Sequence, residues 1–322
     1  MKVFVTGATG FIGGRVVRDL RARGDEVVCL VRRPEKAQDL ADRGCGLFEG
    51  DLADDVAMRS GMAECDALIH GAAVYEVGIP KSQHTAMYEA NVLGTERVLR
   101  AAQEEKIPRI VYISTVGAFG NTHGKVVDET YRRNGEDFLS CYEETKYRSH
   151  EVALDRISKG APIVIVQPGG VYGPGDHSEL GNIIDQTRTG KLKMLMFPQT
   201  GFNLVYVDDV ADGILLAYEK GVVGQAYVLG GELSTMGDLI RKVAELSGRK
   251  APSREMPASL MKMAIPIGPL VGKMMGFPPN LRELIRSSDG VTYWATDAKA
   301  RRELGYAPRD FDTGLRETLS AA

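Results

Sequence analysis

The sequence predicts an α/β protein built on a doubly wound parallel sheet, with a smaller carboxyl-terminal region. Short runs rich in β-branched residues alternate with longer amphipathic stretches from residue 2 to residue 166, which is typical of βαβ units. A glycine-rich turn follows the first run, and the alternation weakens after Gln167. We therefore expect a sheet domain over residues 1–167 and a mainly substrate-binding region over 168–322, of which 203–248 partly returns to the sheet.

The elements follow one another in a regular order. Strands are predicted where short apolar runs suit a sheet that is covered on both faces, at Lys2–Thr6, Glu26–Val31, Leu47–Glu49, Ala67–His70, Ile110–Ser114 and Ile163–Gln167. Helical spacing of apolar residues predicts helices at Phe11–Arg23, Glu35–Arg43, Thr85–Glu105 and Tyr142–Ser158. Beyond these we expect a helix at Glu179–Arg188, a strand at Asn203–Val207 with a helix from about Val210, a strand at Gln225–Leu229 and a helix at Thr235–Ser247.

Charge and cysteine content exclude several classes of protein. A formal net charge of -3 and a pI near 6.0 give no reason to expect binding to nucleic acid or to an anionic membrane surface. The four cysteines lie singly, without the close pairing of a metal site. A predicted strand begins at Lys2, which leaves no room for a leader peptide, and no segment is long and apolar enough to span a membrane. We expect a cytoplasmic protein without a metal.

The segment Thr6–Gly13, Thr-Gly-Ala-Thr-Gly-Phe-Ile-Gly, joins the first predicted strand to the first helix. In this context Gly7 permits a tight turn, Gly10 lets the backbone approach a pyrophosphate, and Gly13 lets the helix lie close to the strand. Free N–H groups at the start of a helix also favour an anion. The motif predicts a dinucleotide site.

Two arginines follow the second strand, where an NAD enzyme often has an acidic residue that binds the ribose. Arg32 and Arg33 occupy this position. A guanidinium binds a 2′-phosphate through paired hydrogen bonds, so NADP(H) is favoured over NAD(H). The alternative interpretation is a solvated pair of surface charges. Asp51, after the third strand, is placed to accept a hydrogen bond from the adenine amino group or to cap the next helix.

Tyr142 and Lys146 lie four residues apart and therefore on one face of a predicted helix. A neighbouring ammonium favours the phenolate and lowers the pKa of a tyrosine, which makes Tyr142 a candidate acid and base. Ser114 and Thr115 end the fifth strand region, at the same edge of the sheet. Together with the glycine motif, these residues predict an oxidoreductase.

The motifs resemble, in order and over nearly the whole chain, the extended short-chain dehydrogenase/reductase family, especially members similar to dihydroflavonol reductase and 3β-hydroxysteroid dehydrogenase. The matching segments are Thr6–Gly13, Asp51-Leu52, His70–Ala73, Asn91–Thr95, Ser114-Thr115, Tyr142–Lys146, Val171–Gly175 and Val207–Val210. The resemblance implies a Rossmann fold in which Tyr142 is the general acid in reduction and Lys146 binds the nicotinamide ribose. It implies that Thr115 hydrogen-bonds the substrate oxygen, with Ser114 as the alternate.

The same resemblance implies the cofactor contacts and a homodimer. The contacts are Gly7, Thr9, Gly10, Phe11, Ile12, Gly13, Arg32, Arg33, Asp51, Leu52, Ala72, Ala73, Tyr142, Lys146, Pro168, Gly170 and Val171. Asn91 would hold the helix geometry or a water near Lys146. The helices matching Asn91–Arg100 and Tyr142–Asp155 form a four-helix dimer contact in many relatives.

Two departures from the family's sugar-nucleotide members bear on the reaction. Gly170 replaces an Asn that contacts the nucleotide, and Phe202-Asn203 replaces an Arg-Asp pair whose arginine binds diphosphate. A buried diphosphate without a cation is costly, so we expect a carbonyl and an alcohol to be interconverted on a small apolar or ring-containing substrate.

Two alternatives stay open. An NAD(P)-dependent sugar epimerase is the first, because residues 203–209 and 229–232 resemble sugar-epimerase members of the family. A non-catalytic NADP(H)-binding sensor or scaffold is the second, although such proteins usually lose the tyrosine or the lysine.

The segment Met256–Met275 contains five methionines among apolar residues, prolines and glycines. Methionine adapts to irregular apolar surroundings, so we expect amphipathic helices packed on the domain or, alternatively, a flexible lid over the substrate. Together with Gly117–Tyr131 and Val171–Phe202, this part of the chain is expected to select the substrate.

Overall fold

The computed structural model describes residues 1–267 and 278–321. Within them, ten strands are β1 Lys2–Thr6, β2 Glu26–Val31, β3 Gly46–Glu49, β4 Ala67–His70, β5 Ile110–Ile113, β6 Ile163–Pro168, β7 Gly170–Tyr172, β8 Gly201–Tyr206, β9 Ala226–Leu229 and β10 Glu232–Thr235. The α-helices are α1 Gly13–Ala22, α2 Gln38–Asp42, α3 Asp55–Met62, α4 His84–Tyr88, α5 Gly94–Glu104, α6 Cys141–Ser158, α7 Glu179–Arg188, α8 Val207–Lys220, α9 Met236–Leu246, α10 Ala258–Met263, α11 Leu281–Ser288, α12 Ala298–Leu304 and α13 Phe311–Ser320.

Seven parallel strands form the main sheet in the order β3-β2-β1-β4-β5-β6-β9. The chain builds outward from β1 to β3, then crosses to the other side and adds the remaining strands. Val5 of β1 therefore lies between Cys29 of β2 and Ile69 of β4. The point of reversal leaves a crevice at the carboxyl ends of β1 and β4, where such sheets bind their ligands. The predicted doubly wound fold is confirmed.

Helices cover both faces of the main sheet. Val3 and Val5 point toward α1, α8 and α12, whereas Phe4 points toward the side of α3, α5 and α6. Because successive residues of a strand face opposite sides, one apolar run supplies both cores. Burying each large apolar side chain contributes roughly 1.5–3 kcal/mol, which holds the carboxyl edge of the sheet in a fixed geometry.

Three strands form a second, smaller sheet. β8 is central, parallel to β7 and antiparallel to β10. Its core contains residues of α7, α9 and α13. β9, in contrast, is the edge strand of the main sheet, and α8 packs on that sheet. The segment that follows residue 168 thus alternates between the two sheets.

The boundaries differ from prediction where local signals compete. The predicted helix over residues 85–105 is divided into α4, a π-helical turn at Glu89–Leu93, and α5. The predicted helix over 35–43 begins as a 3₁₀ turn at Pro34–Lys36 before α2. Helix α3 was not predicted, although Asp54 caps it by accepting from the amide of Ala57 at 2.9 Å.

The methionine-rich segment is only partly described. Met261 on α10 is buried against Leu281 and Ile285 of α11, whereas Met263 is 76% exposed. Residues 268–277, which include Met274 and Met275, lie outside the described residues. Packing therefore accounts for Met261, and the lid stays a prediction. Across residues 1–267 and 278–321, none of the helices has both the length and the apolar content that crossing a membrane requires.

Candidate active site

The glycine-rich turn at the end of β1 has the geometry of an anion cradle. Gly7 has a φ of +79°, which favours glycine, and a β-carbon on residue 13 would collide with the Gly7 carbonyl. In the described residues, the amides of Phe11 and Ile12 donate to no protein acceptor, and Thr9 and Gly10 are exposed. Two free amides at the start of α1 fit a pyrophosphate.

The segment after β4 lies against this turn. A β-carbon on Gly7 would approach the Ala72 amide nitrogen to 2.8 Å, and Ala73, the next residue, is exposed. Thr6 Oγ1 accepts from the Ala72 amide at 3.4 Å and shares a hydrogen bond of 2.7 Å with His70 Nδ1. The structure therefore places Ala72 beside the cradle.

The residues predicted to bind the adenosine half lie at the neighbouring strand ends. Arg32 and Arg33 are exposed after β2, and Asp51 is exposed after β3. The Asp51 carboxylate accepts from the Ala53 amide at 2.8 Å, so it closes a local turn and leaves the helix cap to another residue. Leu52 packs against the start of α5. The guanidinium groups and Asp51 are accessible to a ligand.

Tyr142 and Lys146 lie at the start of α6, which Ser140 caps by accepting from the Glu143 amide at 3.1 Å. Lys146 is 5% exposed, and its Nζ donates to the carbonyl of Ile113 at 3.4 Å. Desolvation lowers the pKa of Lys146 to about 8, because burial disfavours the ammonium. The lysine can therefore lose its proton close to neutral pH.

The pKa of Tyr142 is raised, not lowered as expected from Lys146. Desolvation is the largest cause, followed by the nearby Tyr75 and Tyr112. The nearby Thr115 hydroxyl lowers the Tyr142 pKa, but by less. The expectation overlooked the burial of the phenol, which here outweighs any stabilisation of the phenolate. Tyr142 is protonated at neutral pH and is available as an acid.

The two candidate hydroxyls at the end of β5 point to different partners. Thr115 is close to Tyr142, and its Oγ1 also accepts from the Gly117 amide at 3.1 Å. Ser114 is buried, and its Oγ lies 3.0 Å from His150 Nδ1. The structure thus brings Thr115, and not Ser114, next to Tyr142.

Asn91 lies in the π-helical turn and cross-links three segments. Its Oδ1 accepts from the Val74 amide at 2.7 Å, and its Nδ2 donates to the Val74 carbonyl and to Thr145 Oγ1, each at 3.0 Å. Its own carbonyl accepts from Ser149 Oγ at 2.9 Å. These bonds attach α6 to the segment after β4, and the role of Asn91 at Lys146 stays a prediction. π-helical turns often occur at functional sites.

The turn after β6 leads from one sheet to the other. Pro168 ends β6, and Gly170 and Val171 begin β7. Beside them, Asn203 is buried; its side chain donates to the carbonyl of Ala295 and accepts from the Ala295 amide at 2.9 Å. The residue that replaces the diphosphate-binding pair is therefore used to attach the carboxyl-terminal segment.

Two aromatic side chains near Tyr142, those of Tyr75 and Tyr293, were missed by sequence reasoning. Tyr75 meets Tyr142 edge to face with ring centroids 4.8 Å apart, and it is 60% exposed. Tyr293 stacks on Phe202 at 6.0 Å; burial raises its pKa, and Glu143, Tyr75 and Tyr142 raise it further. Neither Tyr75 nor Tyr293 belongs to a recognised motif, so only the fold brings them to the site.

Comparison with known proteins identifies the family of the chain. Residues 3–230 match the model of the NAD dependent epimerase/dehydratase family. A Synechocystis sp. protein with the provisional name dihydroflavonol 4-reductase is 33% identical over 98% of this chain and 93% of its own. A Stigmatella aurantiaca protein, 4-hydroxy-2-methyl-3-oxo-4-farnesyl-3,4-dihydroquinoline-1-oxide ketoreductase, is 32% identical over 96% of this chain and 92% of its own.

Among solved structures, gox2253 superposes with a TM-score of 0.85 at 33% identity and covers 99% of this chain and 97% of that chain. The motifs, the doubly wound sheet and the full-length matches agree. The chain belongs to the NAD-dependent epimerase/dehydratase family and is an enzyme of the extended short-chain dehydrogenase/reductase type.

Proposed function

We propose that this enzyme uses NADP(H) to interconvert a carbonyl and an alcohol on a small apolar or ring-containing substrate. The observation that carries the proposal is the placement of Tyr142 close to Thr115, with Tyr75 edge to face against the phenol and Tyr293 nearby. Two similar proteins carry the names of reductases, which supports the same reaction class.

Each side chain of the site has a separate role in the reduction. Tyr142 transfers its phenolic proton to the carbonyl oxygen, and the Thr115 hydroxyl donates a hydrogen bond to the same oxygen. The reduced nicotinamide supplies the hydride. Lys146, whose pKa is lowered to about 8, holds the ribose and returns a proton to the Tyr142 phenolate. The Phe11 and Ile12 amides bind the pyrophosphate.

The aromatic side chains of Tyr75 and Tyr293 near Tyr142 favour an apolar substrate over a sugar diphosphate. Each Å² of apolar surface that leaves water contributes about 25 cal/mol, so a ring covered by Tyr75 and Tyr293 gains several kcal/mol. Asn203, at the position of the family's diphosphate-binding arginine and aspartate, is buried and bonded to Ala295. Arg32 and Arg33 are accessible at the end of β2, which supports NADP(H).

The test is a titration of the purified protein with NADPH and NADH, followed by NADPH oxidation over aromatic and alicyclic ketones, aldehydes and nucleotide-sugars. Tighter binding of NADPH and turnover of an apolar carbonyl are expected. Retention of NAD through purification, with interconversion of a UDP-sugar and no net oxidation, would replace this proposal by an epimerase.

A further inference from the structure

His150 lies on the same face of α6 as Tyr142 and Lys146, eight and four residues further along the helix. Its Nδ1 is 3.0 Å from Ser114 Oγ. Ser114 follows Ile113, whose carbonyl accepts from Lys146 Nζ at 3.4 Å. A polar side chain with no role in the proposed reaction is therefore attached to the strand end that holds the catalytic lysine.

The surroundings of Ser114 are rich in hydroxyl groups. The Tyr112 hydroxyl is buried and has no hydrogen-bond partner among the described residues, yet Ser149, Thr95 and Ser114 lie close enough to lower its pKa. Lys146 Nζ lies over the same ring, 5.7 Å from its centroid. Hydroxyl groups both accept and donate, so this cluster provides sites through which a proton can move.

Comparison with the other buried histidine near Lys146 shows what distinguishes His150. His70 is 0% exposed, with Nδ1 bonded to Thr6 Oγ1 at 2.7 Å and Nε2 to Thr95 Oγ1 at 3.0 Å. His150 is 9% exposed, and the structure gives one side-chain partner, on Nδ1. Both histidines are buried, but His70 has no exposed surface, whereas a small part of His150 is exposed.

The charge state of His150 suits transfer in both directions. Burial, and then the nearby cations of Arg132 and Lys146, lower its pKa to about 4. The imidazole is therefore neutral at neutral pH. A neutral imidazole accepts a proton on one nitrogen while it releases one from the other, which a permanently charged group cannot do.

We propose that His150 and Ser114 return to Tyr142, by way of Lys146, the proton that each reduction consumes. The proposal rests on the proposed reductase function. In each turnover the Tyr142 O–H bond breaks as the O–H bond of the alcohol forms, and the reduced nicotinamide supplies the hydride. Lys146 then protonates the phenolate. Ser114 Oγ is bonded to His150 and not to Lys146, so the Ser114 side chain turns toward Nζ to pass its hydroxyl proton to Lys146. It then takes a proton from His150 Nδ1, while a solvent proton binds Nε2.

The test compares one turnover with many. The variant His150→Asn keeps a polar atom near the position of Nδ1 but cannot relay a proton, and Ser114→Ala removes the link. In a single turnover, enzyme in excess over an apolar carbonyl with NADPH bound uses the proton already on Tyr142, so both variants should match the wild type within about twofold. In the steady state both should fall by roughly tenfold, as for loss of a proton-transfer group, and added imidazole should restore His150→Asn. His123→Asn, at an exposed position, is the control.

Each outcome decides the proposal. An unchanged steady-state rate overturns the relay, because the proton then reaches Lys146 by another route. Equal slowing of the single turnover and the steady state also overturns it, since it assigns His150 a structural role. A wild-type enzyme that transfers no hydride in the single turnover overturns the reductase function itself.

Discussion

The two ends of the active site are built by different means. At the cofactor end, backbone geometry makes the site: Gly7 and Gly13 shape the turn, and the charged groups around it are exposed. At the chemical end, side chains make the site: Lys146 and Asn91 are buried, and their positions depend on hydrogen bonds and helix contacts. At the cofactor end, the size of the new side chain should therefore decide whether a substitution is tolerated. At the chemical end, its charge and its ability to carry a proton should decide.

The largest effect is expected at the chemical end, from Tyr142→Phe. The variant keeps the ring and its edge contact with Tyr75 but loses the proton, so kcat should fall by roughly 10²–10⁴-fold, the usual range for general acid catalysis. NADPH binding, followed by fluorescence titration, should change little. Turnover equal to that of the wild type would remove Tyr142 from the mechanism.

At the cofactor end, Gly13→Ala should weaken dinucleotide binding while Gly14→Ala should not. A β-carbon on residue 13 collides with the Gly7 carbonyl, whereas one on residue 14 meets the Ala8 carbonyl oxygen at an ordinary 3.7 Å. We expect the first variant to lose about 1–3 kcal/mol of unfolding free energy through overpacking. Calorimetric titration and urea unfolding of the pair check this. Similar affinities in both variants would show that turn geometry does not control binding.

Lys146→Met should raise the stability of the protein at neutral pH and lower its activity. A Lys146 pKa lowered from 10.5 to about 8 means that the folded protein binds fewer protons than the unfolded chain between these pH values. The cost to folding, roughly 3 kcal/mol, is fully present below pH 8 and disappears as the pH rises toward 10.5. The apo variant should therefore melt higher than the wild type at pH 7, and turn over poorly.

Thermal unfolding of both proteins between pH 7 and 10 measures this difference. It should be largest at pH 7 and shrink with rising pH. A variant that melts lower at every pH would show that the bond from Lys146 to the Ile113 carbonyl stabilises more than burial of the charge costs.

The smallest effect is expected from Arg32→Ala, because the side chain is exposed and its ion pair with a phosphate is screened by solvent. Affinity for NADPH should fall by about tenfold, or about 1.4 kcal/mol, and affinity for NADH should stay the same. Arg43→Ala, another exposed arginine, is the control. An equal loss for both dinucleotides would remove the 2′-phosphate argument.

The contrast between local backbone geometry and side-chain contacts also explains which features the sequence could predict. Strands β1, β2 and β4 have the predicted bounds, because both faces of the sheet are covered and the apolar run is the strand. The glycine turn was recognisable because its backbone requirements are local. Strands β7 and β10 escaped prediction: they are three and four residues long and owe their pairing to β8.

The candidate site shows the same limit. Tyr142, Lys146 and Thr115 were predicted because they lie on short segments with a fixed spacing. Tyr293 comes to Tyr142 only when the carboxyl-terminal segment is attached through Asn203 and Ala295, which no local pattern encodes. The predicted direction of the Tyr142 pKa shift was wrong for a similar reason, since desolvation depends on all the residues that surround the phenol.

The π-helical turn at Glu89–Leu93 has a consequence for how this chain can vary. An α-helix advances about 100° per residue, so a wider turn contains one residue that the regular helix would not need. Deleting one of the four residues other than Asn91 in this turn would leave α4 and α5 with intact apolar stripes. It would also rotate the two helices relative to each other and turn the Asn91 amide away from Val74 and Thr145. A related sequence that lacks one residue here would thus keep the fold and lose the catalytic activity.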